Sequence, residues 1–190
     1  MKYILAITGA SGIVYGVRLN EELKKMGFEV YAIVTEGAKA TAKYEFKDAI
    51  ERIKKASVAV YDENNLDAPM ASGSAKFDGM VVAPCSMKTL ASIANGFEDN
   101  LVSRAAQVQL KERRPLLLLL RETPISTLHI MNMLKASLGG AVIVPASPGF
   151  YGSPKSIDDL VNFQVGKVMD LLGLQHNLFK RWTGAEGIGD

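Results

Sequence analysis

The chain has 190 residues, of which 48% are hydrophobic, and its 22 basic and 20 acidic residues leave a net charge of +2. This length and composition predict one domain, residues 1–183, with a mobile tail at 184–190. The near balance of charge argues against a nucleic-acid-binding protein, because basic residues cluster only locally. The single cysteine, Cys85, excludes an intrachain disulfide and fits a reducing compartment, so we expect a cytoplasmic protein. Neither His129 nor His176 has the spacing of a metal ligand, so no metal is expected.

Short apolar runs alternate with segments of helical periodicity along the whole chain. Strands are predicted at residues 3–7, 30–34, 58–61, 80–83, 116–120 and 141–144. Helices are predicted at residues 11–26, from 35 onwards, 47–55, from 86 through 93, 100–111, 125–138 and 157–172. This alternation is typical of a parallel sheet with helices on both faces. We therefore predict a doubly wound, Rossmann-like α/β fold.

The first turn, residues 8–12, reads TGASG and joins a strand to a helix N-terminus. Free backbone N–H groups and the helix dipole make such a turn a ready anion site. It lacks the glycine spacing of a dinucleotide fingerprint, because Ser11 and Val14 stand where glycines are needed. The second strand ends in the hydroxyl of Thr35 rather than in a carboxylate for a ribose, which favours a mononucleotide over NAD. A plain strand–helix turn is the alternative.

The strand at 80–83 leads into Pro84-Cys85-Ser86 and another helix. Ser86 is predicted to cap this helix, with Thr89 three residues further on. The two hydroxyls and the free amides could hold a phosphate or a ring edge. Cys85 has no activating base nearby in sequence, and we interpret it as a small buried hydrophobic residue.

Five consecutive leucines at 116–120 are too few to span a bilayer and predict a strand buried on both faces. Arg121 and Glu122 follow directly, at the end of the strand where open α/β sheets bind ligands. Arginine offers a planar fork for phosphate or carboxylate, and glutamate can move a proton. A salt-bridged strand end explains the pair equally well. The loop 145–154, with Tyr151, predicts either a further part of the site or an aromatic plug over the core.

Several longer motifs together resemble the UbiX family of flavin prenyltransferases over nearly the whole chain. They read TGASG, PCSMKTL, ANGFEDNL, KERRPLLLLLRETP, HIMNM and PASPGFY. The resemblance implies a flavodoxin-like three-layer flavoprotein that joins the dimethylallyl group of dimethylallyl monophosphate to reduced FMN, without a metal. The product, prenylated FMN, would serve a UbiD-type decarboxylase as partner. The family also forms large homo-oligomers with the active site at subunit contacts, so a dodecamer is expected, with no nucleic-acid or membrane partner.

The resemblance also implies roles for individual residues. The contacts to FMN would be Gly9, Ala10, Ser11, Thr35, Ser86, Met87, Lys88, Thr89 and Arg121. The prenyl phosphate would be surrounded by Lys111, Arg121, Glu122, Tyr151 and Lys167. Glu45 would transfer a proton near the flavin ring with Ser11 as its hydrogen-bonding neighbour, and Glu122 would protonate the leaving phosphate.

Two alternatives share parts of this pattern. Flavin-dependent cysteine decarboxylases of the phosphopantothenoylcysteine type use a histidine early in the chain, but no histidine precedes His129 here. Their proline-alanine-methionine-asparagine segment is replaced by RETPISTLHIMNM. A non-catalytic FMN carrier has no need of carboxylates such as Glu45 and Glu122 beside a phosphate.

Overall fold

The computed structural model describes residues 1–182 and Gly184, so the predicted tail lies outside the described residues except for its first. The chain divides into two compact units, Met1–Ala146 and a second that begins at Ser147. One domain over residues 1–183 stays a prediction.

The first unit contains all six strands and six of the helices of the described chain, within a few residues of the predicted bounds. The strands are β1 Lys2–Ile7, β2 Glu29–Val34, β3 Ala59–Asp62, β4 Gly79–Cys85, β5 Leu116–Leu120 and β6 Val142–Pro145. The helices are α1 Ile13–Lys25, α2 Glu36–Glu45, α3 Ala49–Ala56, α4 Met87–Ala94, α5 Leu101–Lys111 and α6 Thr127–Leu138, with α7 Ile157–Leu171 in the second unit. A short 3-10 turn, Pro69–Ala71, interrupts the loop before β4. No helix in residues 1–182 is long and apolar enough to cross a bilayer.

The six strands form one parallel sheet in the order β3-β2-β1-β4-β5-β6. The chain leaves β1 towards one edge and returns at β4 to build the other, so the order reverses between these two strands. Their carboxyl ends therefore flank the crevice in which doubly wound sheets bind ligands. The predicted Rossmann-like topology is confirmed.

The core explains why the leucine run is a strand. All five leucines of β5 are buried, and burying each side chain contributes about 2 kcal/mol. Leu116, Leu118 and Leu120 pack with buried residues of α4, α5 and α6 on one face of the sheet. Helix α1 covers the other face, where Gly16 lies against Ile7 and the carbonyl oxygen of Ala83. The site loops are thus mounted on a sheet covered from both sides.

Candidate active site at the carboxyl ends of the strands

The turn after β1 is hydrogen-bonded to the turn after β4. Thr8 is buried, and its hydroxyl donates to the carbonyl oxygen of Pro84 at 2.7 Å while accepting from the backbone N–H of Ser86 at 2.8 Å. The backbone N–H of Thr8 also donates to the Pro84 carbonyl, at 3.2 Å. The two turns that flank the crevice are therefore held at a fixed separation.

Two glycines bring the first turn against the N-terminus of α2. A Cβ atom on Gly9 would lie 2.9 Å from Cα of Gly37, and one on Gly37 would lie 3.2 Å from Cα of Gly9. Thr35, which is buried, caps α2 by accepting from the N–H of Ala38 at 3.1 Å. Backbone N–H groups at such a helix start favour a phosphate. The first turn and the start of α2 therefore meet backbone to backbone, an arrangement we call the glycine cradle, and a side chain on either glycine would force them apart.

The N-terminus of α1 is held by a carboxylate of the protein itself. Oε2 of Glu45 accepts from the backbone N–H groups of Gly12 at 2.8 Å and Ile13 at 3.2 Å. Gly12 has φ +104°, a left-handed conformation that a side chain would strain. Glu45 is thus hydrogen-bonded to Gly12 and Ile13, the two residues that follow its predicted neighbour Ser11. A phosphate would therefore favour the start of α2 over the start of α1.

The turn after β4 has the predicted cap. Oγ of Ser86 accepts from the N–H of Thr89 at 3.3 Å and shares a 3.1 Å hydrogen bond with its hydroxyl. Met87 and Lys88 form the first turn of α4, and Lys88 extends towards Asp99. These residues lie beside β1, because the Ser86 N–H is the group bonded to Thr8.

Cys85 is an inert neighbour of this turn. The thiol is fully buried, and burial raises its pKa far above the ordinary value. A thiol that stays protonated is neither a nucleophile nor a metal ligand. This agrees with its interpretation as a small hydrophobic residue. Residues 1–182 also contain no group of three His, Cys, Asp or Glu side chains placed to hold a metal ion.

Arg121 extends from the end of β5 to the first turn. Its Cγ lies 3.9 Å from the position of a Cβ on Gly12, next to the ring of Tyr15. Burial raises the pKa of the Tyr15 hydroxyl, and the charge of Arg121 opposes that rise. Nε of Arg121 is buried and has no hydrogen-bond partner among the described residues. The guanidinium therefore has donor capacity left over for a ligand.

Glu122 is exposed, and its carboxylate accepts a hydrogen bond from the N–H of the next residue, Thr123, at 3.0 Å. Among the ion pairs of residues 1–182, none joins Glu122 to Arg121. The salt-bridged strand end that the sequence left open is therefore not what the structure contains.

Lys111 lies at the other end of the sheet from Arg121. It ends α5, pairs with Glu112 at 2.6 Å, and lies beside Gly73, in the loop that enters β4. Arg114 holds the same loop through the carbonyl oxygens of Gly73 and Ala75. The five residues of β5 that separate the two ends span about 16 Å. One copy of the chain does not bring Lys111 and Arg121 together.

Two predicted phosphate ligands belong to the second unit. Tyr151 packs edge-on against Phe163 and Trp182, with ring centroids 5.7 and 5.8 Å away. Lys167 lies on α7, 3.7 Å from a carboxylate oxygen of Asp170. Both side chains are about half exposed and are free to contact a further group.

Comparisons with protein families and with individual relatives agree with the resemblance seen in the sequence motifs. A family model described as Flavoprotein matches residues 1–169. A protein of Aquifex aeolicus named flavin prenyltransferase UbiX is 46% identical over 187 residues, which cover 96% of this chain and 99% of the relative. This chain belongs to the UbiX family. The family and the flavoprotein class predicted from the motifs are confirmed.

Solved structures of UbiX proteins have the same fold over their full length. AnUbiX, in complex with FMN and dimethylallyl pyrophosphate, superposes with a TM-score of 0.95 at 43% identity, covering 97% of this chain and 98% of that one. A dodecameric FMN-dependent UbiX-like decarboxylase from Escherichia coli gives 0.94 at 42% identity, covering 97% and 100%. An FMN-dependent cysteine decarboxylase, TvaF, reaches only 0.61 at 18% identity, which shows a shared fold and nothing more.

Four features of this candidate site were not predicted from the sequence. They are the contact of Gly37 with Gly9, the hydrogen bonds of Thr8, the ring of Tyr15 beside Gly12 and the left-handed φ of Gly12. For Thr8 a signal was available, because a hydroxyl directly after a buried strand rarely lacks a buried partner. The contact of Gly37 with Gly9 had no local signal, since the two residues belong to different turns.

Proposed function

We propose that this chain transfers the dimethylallyl group of dimethylallyl monophosphate to reduced FMN and so makes prenylated FMN. The observation that carries the proposal is the buried, unpartnered Nε of Arg121 beside the glycine-lined first turn. A cation with a buried free donor, near a helix start with free N–H groups, offers two places for phosphate groups and so supports two phosphate-bearing substrates. Membership of the UbiX family supports the same reaction.

FMN would bind along the carboxyl ends of β1, β2 and β4. Its phosphate fits the N-terminus of α2, where Thr35 and the Gly9–Gly37 contact form the cradle. The ring system would be bordered by Ala10, Ser11 and the 86–89 turn, which includes Met87 and Lys88. Arg121 would complete this set of contacts. When bound, FMN supplies the two ring atoms that form bonds to the prenyl group.

The prenyl phosphate would bind on the Arg121 side. Cleavage of its carbon–oxygen bond leaves the electron pair on the phosphate, and fixed donors stabilise that charge. Arg121 offers a guanidinium for this purpose, and Glu122 would supply the proton that makes the phosphate a better leaving group. Tyr151 and Lys167 would complete the phosphate site.

Lys111 would join this site from a neighbouring copy. Its place at the amino ends of the strands keeps it from the Arg121 of its own chain, whereas a second copy has no such constraint. A homo-oligomer, with twelve copies as in the E. coli relative, is therefore part of the proposal.

Glu45 would act as the base in the second half of the reaction. Forming the bond to a ring carbon breaks the double bond of the attached prenyl group, whose other carbon takes up a proton, and releases the proton of the ring carbon. The Glu45 carboxylate, held at the first turn by two N–H groups, would accept that proton. Ser11, next to Gly12, would steer this proton transfer. A UbiD-type decarboxylase would use the product, and a single cysteine, Cys85, that is free and buried fits a cytoplasmic setting.

The decisive experiment is anaerobic incubation with reduced FMN and the prenyl donor, followed by mass spectrometry of the released flavin. Dimethylallyl monophosphate and the pyrophosphate are compared side by side. A mass gain of one prenyl group is expected with the monophosphate. Unmodified flavin that stays bound would instead make the protein a carrier.

The shared site has its own test. Lys111→Met and Arg121→Met variants, each inactive alone, are unfolded together, refolded and assayed. Mixed oligomers would contain sites with both cations intact and would recover part of the activity. Recovery that never exceeds the separate variants would assign both residues to one chain or to no common site.

A further inference from the structure

Asp170 stands at an electrostatically unfavourable position. It lies in the last turn of α7, where the helix dipole disfavours a negative charge. Burial of the carboxylate also raises its pKa, but the hydrogen bond and charge of Arg181 and the contact with His176 outweigh this and hold the pKa below the ordinary value. A carboxylate that stays ionised at the C-terminal end of a helix must be stabilised by nearby cationic or hydrogen-bond-donating groups.

Three cationic or donor groups converge on this carboxylate. Arg181 donates from both terminal nitrogens, at 2.7 and 3.3 Å. His176 has a buried side chain, and its Nε2 lies 3.1 Å from Oδ1 of Asp170. Since Nδ1 of His176 accepts from the N–H of Leu178 at 3.1 Å, Nε2 is the nitrogen left to donate. Lys167 approaches the other oxygen at 3.7 Å.

The partners of Asp170 anchor residues 174–182, which we call the C-terminal arm. Phe179 of the arm packs against Phe163 on α7, with ring centroids 4.8 Å apart. The arm also lies directly on Gly166, where a Cβ atom would come within 2.6 Å of the rings of His176 and Phe179. Charge and shape therefore both fix the arm to α7.

The arm reaches both second-unit residues assigned to the prenyl phosphate. Trp182, the residue after Arg181, packs edge-on against Tyr151. Lys167 shares the Asp170 carboxylate with Arg181 and His176. One carboxylate thus connects the environment of Tyr151 with that of Lys167.

We propose that Asp170 is a positioning residue, which docks the C-terminal arm on α7 and thereby holds Tyr151 and Lys167 in place for the prenyl phosphate. The proposal rests on the proposed function for the identity of the ligand, but the docking of the arm does not. Asp170 itself touches no substrate. It acts through the arm and through the direction of the Lys167 side chain.

Two variants undock the arm by independent means. Asp170→Asn removes the charge that Arg181 and Lys167 pair with. Gly166→Ala changes no charge but places a methyl group where the rings of His176 and Phe179 now lie, in a helix interior that favours alanine. Asp158→Asn is the matched control, because Asp158 is exposed in the first turn of the same helix.

The arm carries its own probe, because Trp182 is the single tryptophan of the chain. Acrylamide quenching of its fluorescence, with FMN bound in every variant, reports docking without any reference to the donor. Steady-state prenyl transfer and FMN titration then give the KM for the donor, kcat and the Kd for FMN.

We expect Asp170→Asn and Gly166→Ala each to increase quenching and to raise the donor KM about tenfold, because displaced ligands lose their preorganised geometry. The Kd for FMN should stay within about twofold and Asp158→Asn should behave as the wild type. Increased quenching with an unchanged donor KM would overturn the link to the donor. Unchanged quenching in both variants would overturn the docking role. If the wild type transfers no prenyl group but quenching still increases in both variants, the proposed function is refuted and the docking of the arm is established.

Discussion

The two sides of the crevice in the first unit are built differently. On the β1 side the polar groups are bonded to one another: Thr8 links two turns, and Glu45 binds the start of α1. At the end of β5, by contrast, Nε of Arg121 is buried without a hydrogen-bond partner among the described residues, and Glu122 accepts from the adjacent Thr123. One side has its geometry fixed by the protein, whereas the other has hydrogen-bonding capacity left for a ligand. Under the proposed function, this difference suits a flavin acceptor oriented by fixed groups on the first side and a prenyl donor bound by free hydrogen-bond donors on the second.

Substitutions at the end of β5, the side with hydrogen-bonding capacity left for a ligand, should leave the fold intact but slow the reaction. Glu122→Gln keeps the size of the side chain and removes its proton-transfer capacity, so kcat should fall about a thousandfold. FMN affinity and the free energy of unfolding should not change. Rapid-quench measurement of prenyl transfer gives the effect, with Glu51→Gln on the exposed face of α3 as the control. A variant with normal kcat would remove Glu122 from the reaction.

The fixed side allows the chemistry of Glu45 to be separated from its structural role. Glu45→Gln retains an oxygen that accepts from Gly12 and Ile13, but it cannot accept a proton, so ring closure should slow about a hundredfold. Flavin joined to the prenyl group by a single bond should accumulate. This species is an isomer of the product, so chromatography and NMR spectroscopy are needed to identify it.

Glu45→Ala provides the contrast, because it also removes the acceptor at the start of α1. It should lower the free energy of unfolding, whereas Glu45→Gln should not. Complete ring closure by the glutamine variant would assign the base to another group.

The hydrogen bonds of Thr8, which join the turns after β1 and β4, should contribute to the free energy of unfolding. Thr8→Val keeps the shape of the side chain but leaves the N–H of Ser86 without its acceptor, while the carbonyl oxygen of Pro84 keeps only the backbone N–H of residue 8 as a donor. This should cost about 2 kcal/mol of unfolding free energy. Urea denaturation of the FMN-free protein measures it. Thr41→Val is the control, because the Thr41 hydroxyl bonds to its own helix, at the carbonyl oxygen of Gly37. Equal losses in both variants would mean that the link carries no special weight.

The smallest expected effect is at the glycine cradle. Gly37→Ala places a methyl group 3.2 Å from Cα of Gly9, so the two turns must separate slightly and FMN should bind about tenfold more weakly. At saturating FMN the KM for the donor should be unchanged. Isothermal titration and steady-state kinetics distinguish the two sides, and a shift in the donor KM alone would contradict the proposed division.

The sequence was sufficient for the elements and for the local parts of the site. Hydrophobic periodicity located the strands, because burial on both faces leaves few alternatives to a run such as 116–120. The cap of Ser86 on α4 was predictable, since its donor and acceptor are three residues apart. The place of Arg121 and Glu122 at the carboxyl end of β5 was predictable from the leucine run, whereas their part in the reaction stays a prediction.

Contacts between distant turns were not predictable in the same way. The bond from Glu45 to Gly12 spans 33 residues, and that from Thr8 to Ser86 spans 78. Neither leaves a periodic trace in the sequence, because each depends on how two turns meet in the folded sheet. The opposite placement of Lys111 and Arg121 has the same origin: ten residues apart in sequence, they are separated by the length of β5.

The contact of Gly16 with the carbonyl oxygen of Ala83 has a consequence for engineering. A Cβ atom there would clash with that oxygen, so α1 and β4 meet backbone to backbone with no flexible side chain between them that could move aside. The two loops on the flavin side must then move as a single stiff body. Under the proposed function, variants that accept longer prenyl chains are therefore best sought in the loop after β5, with α1 and β4 left unchanged.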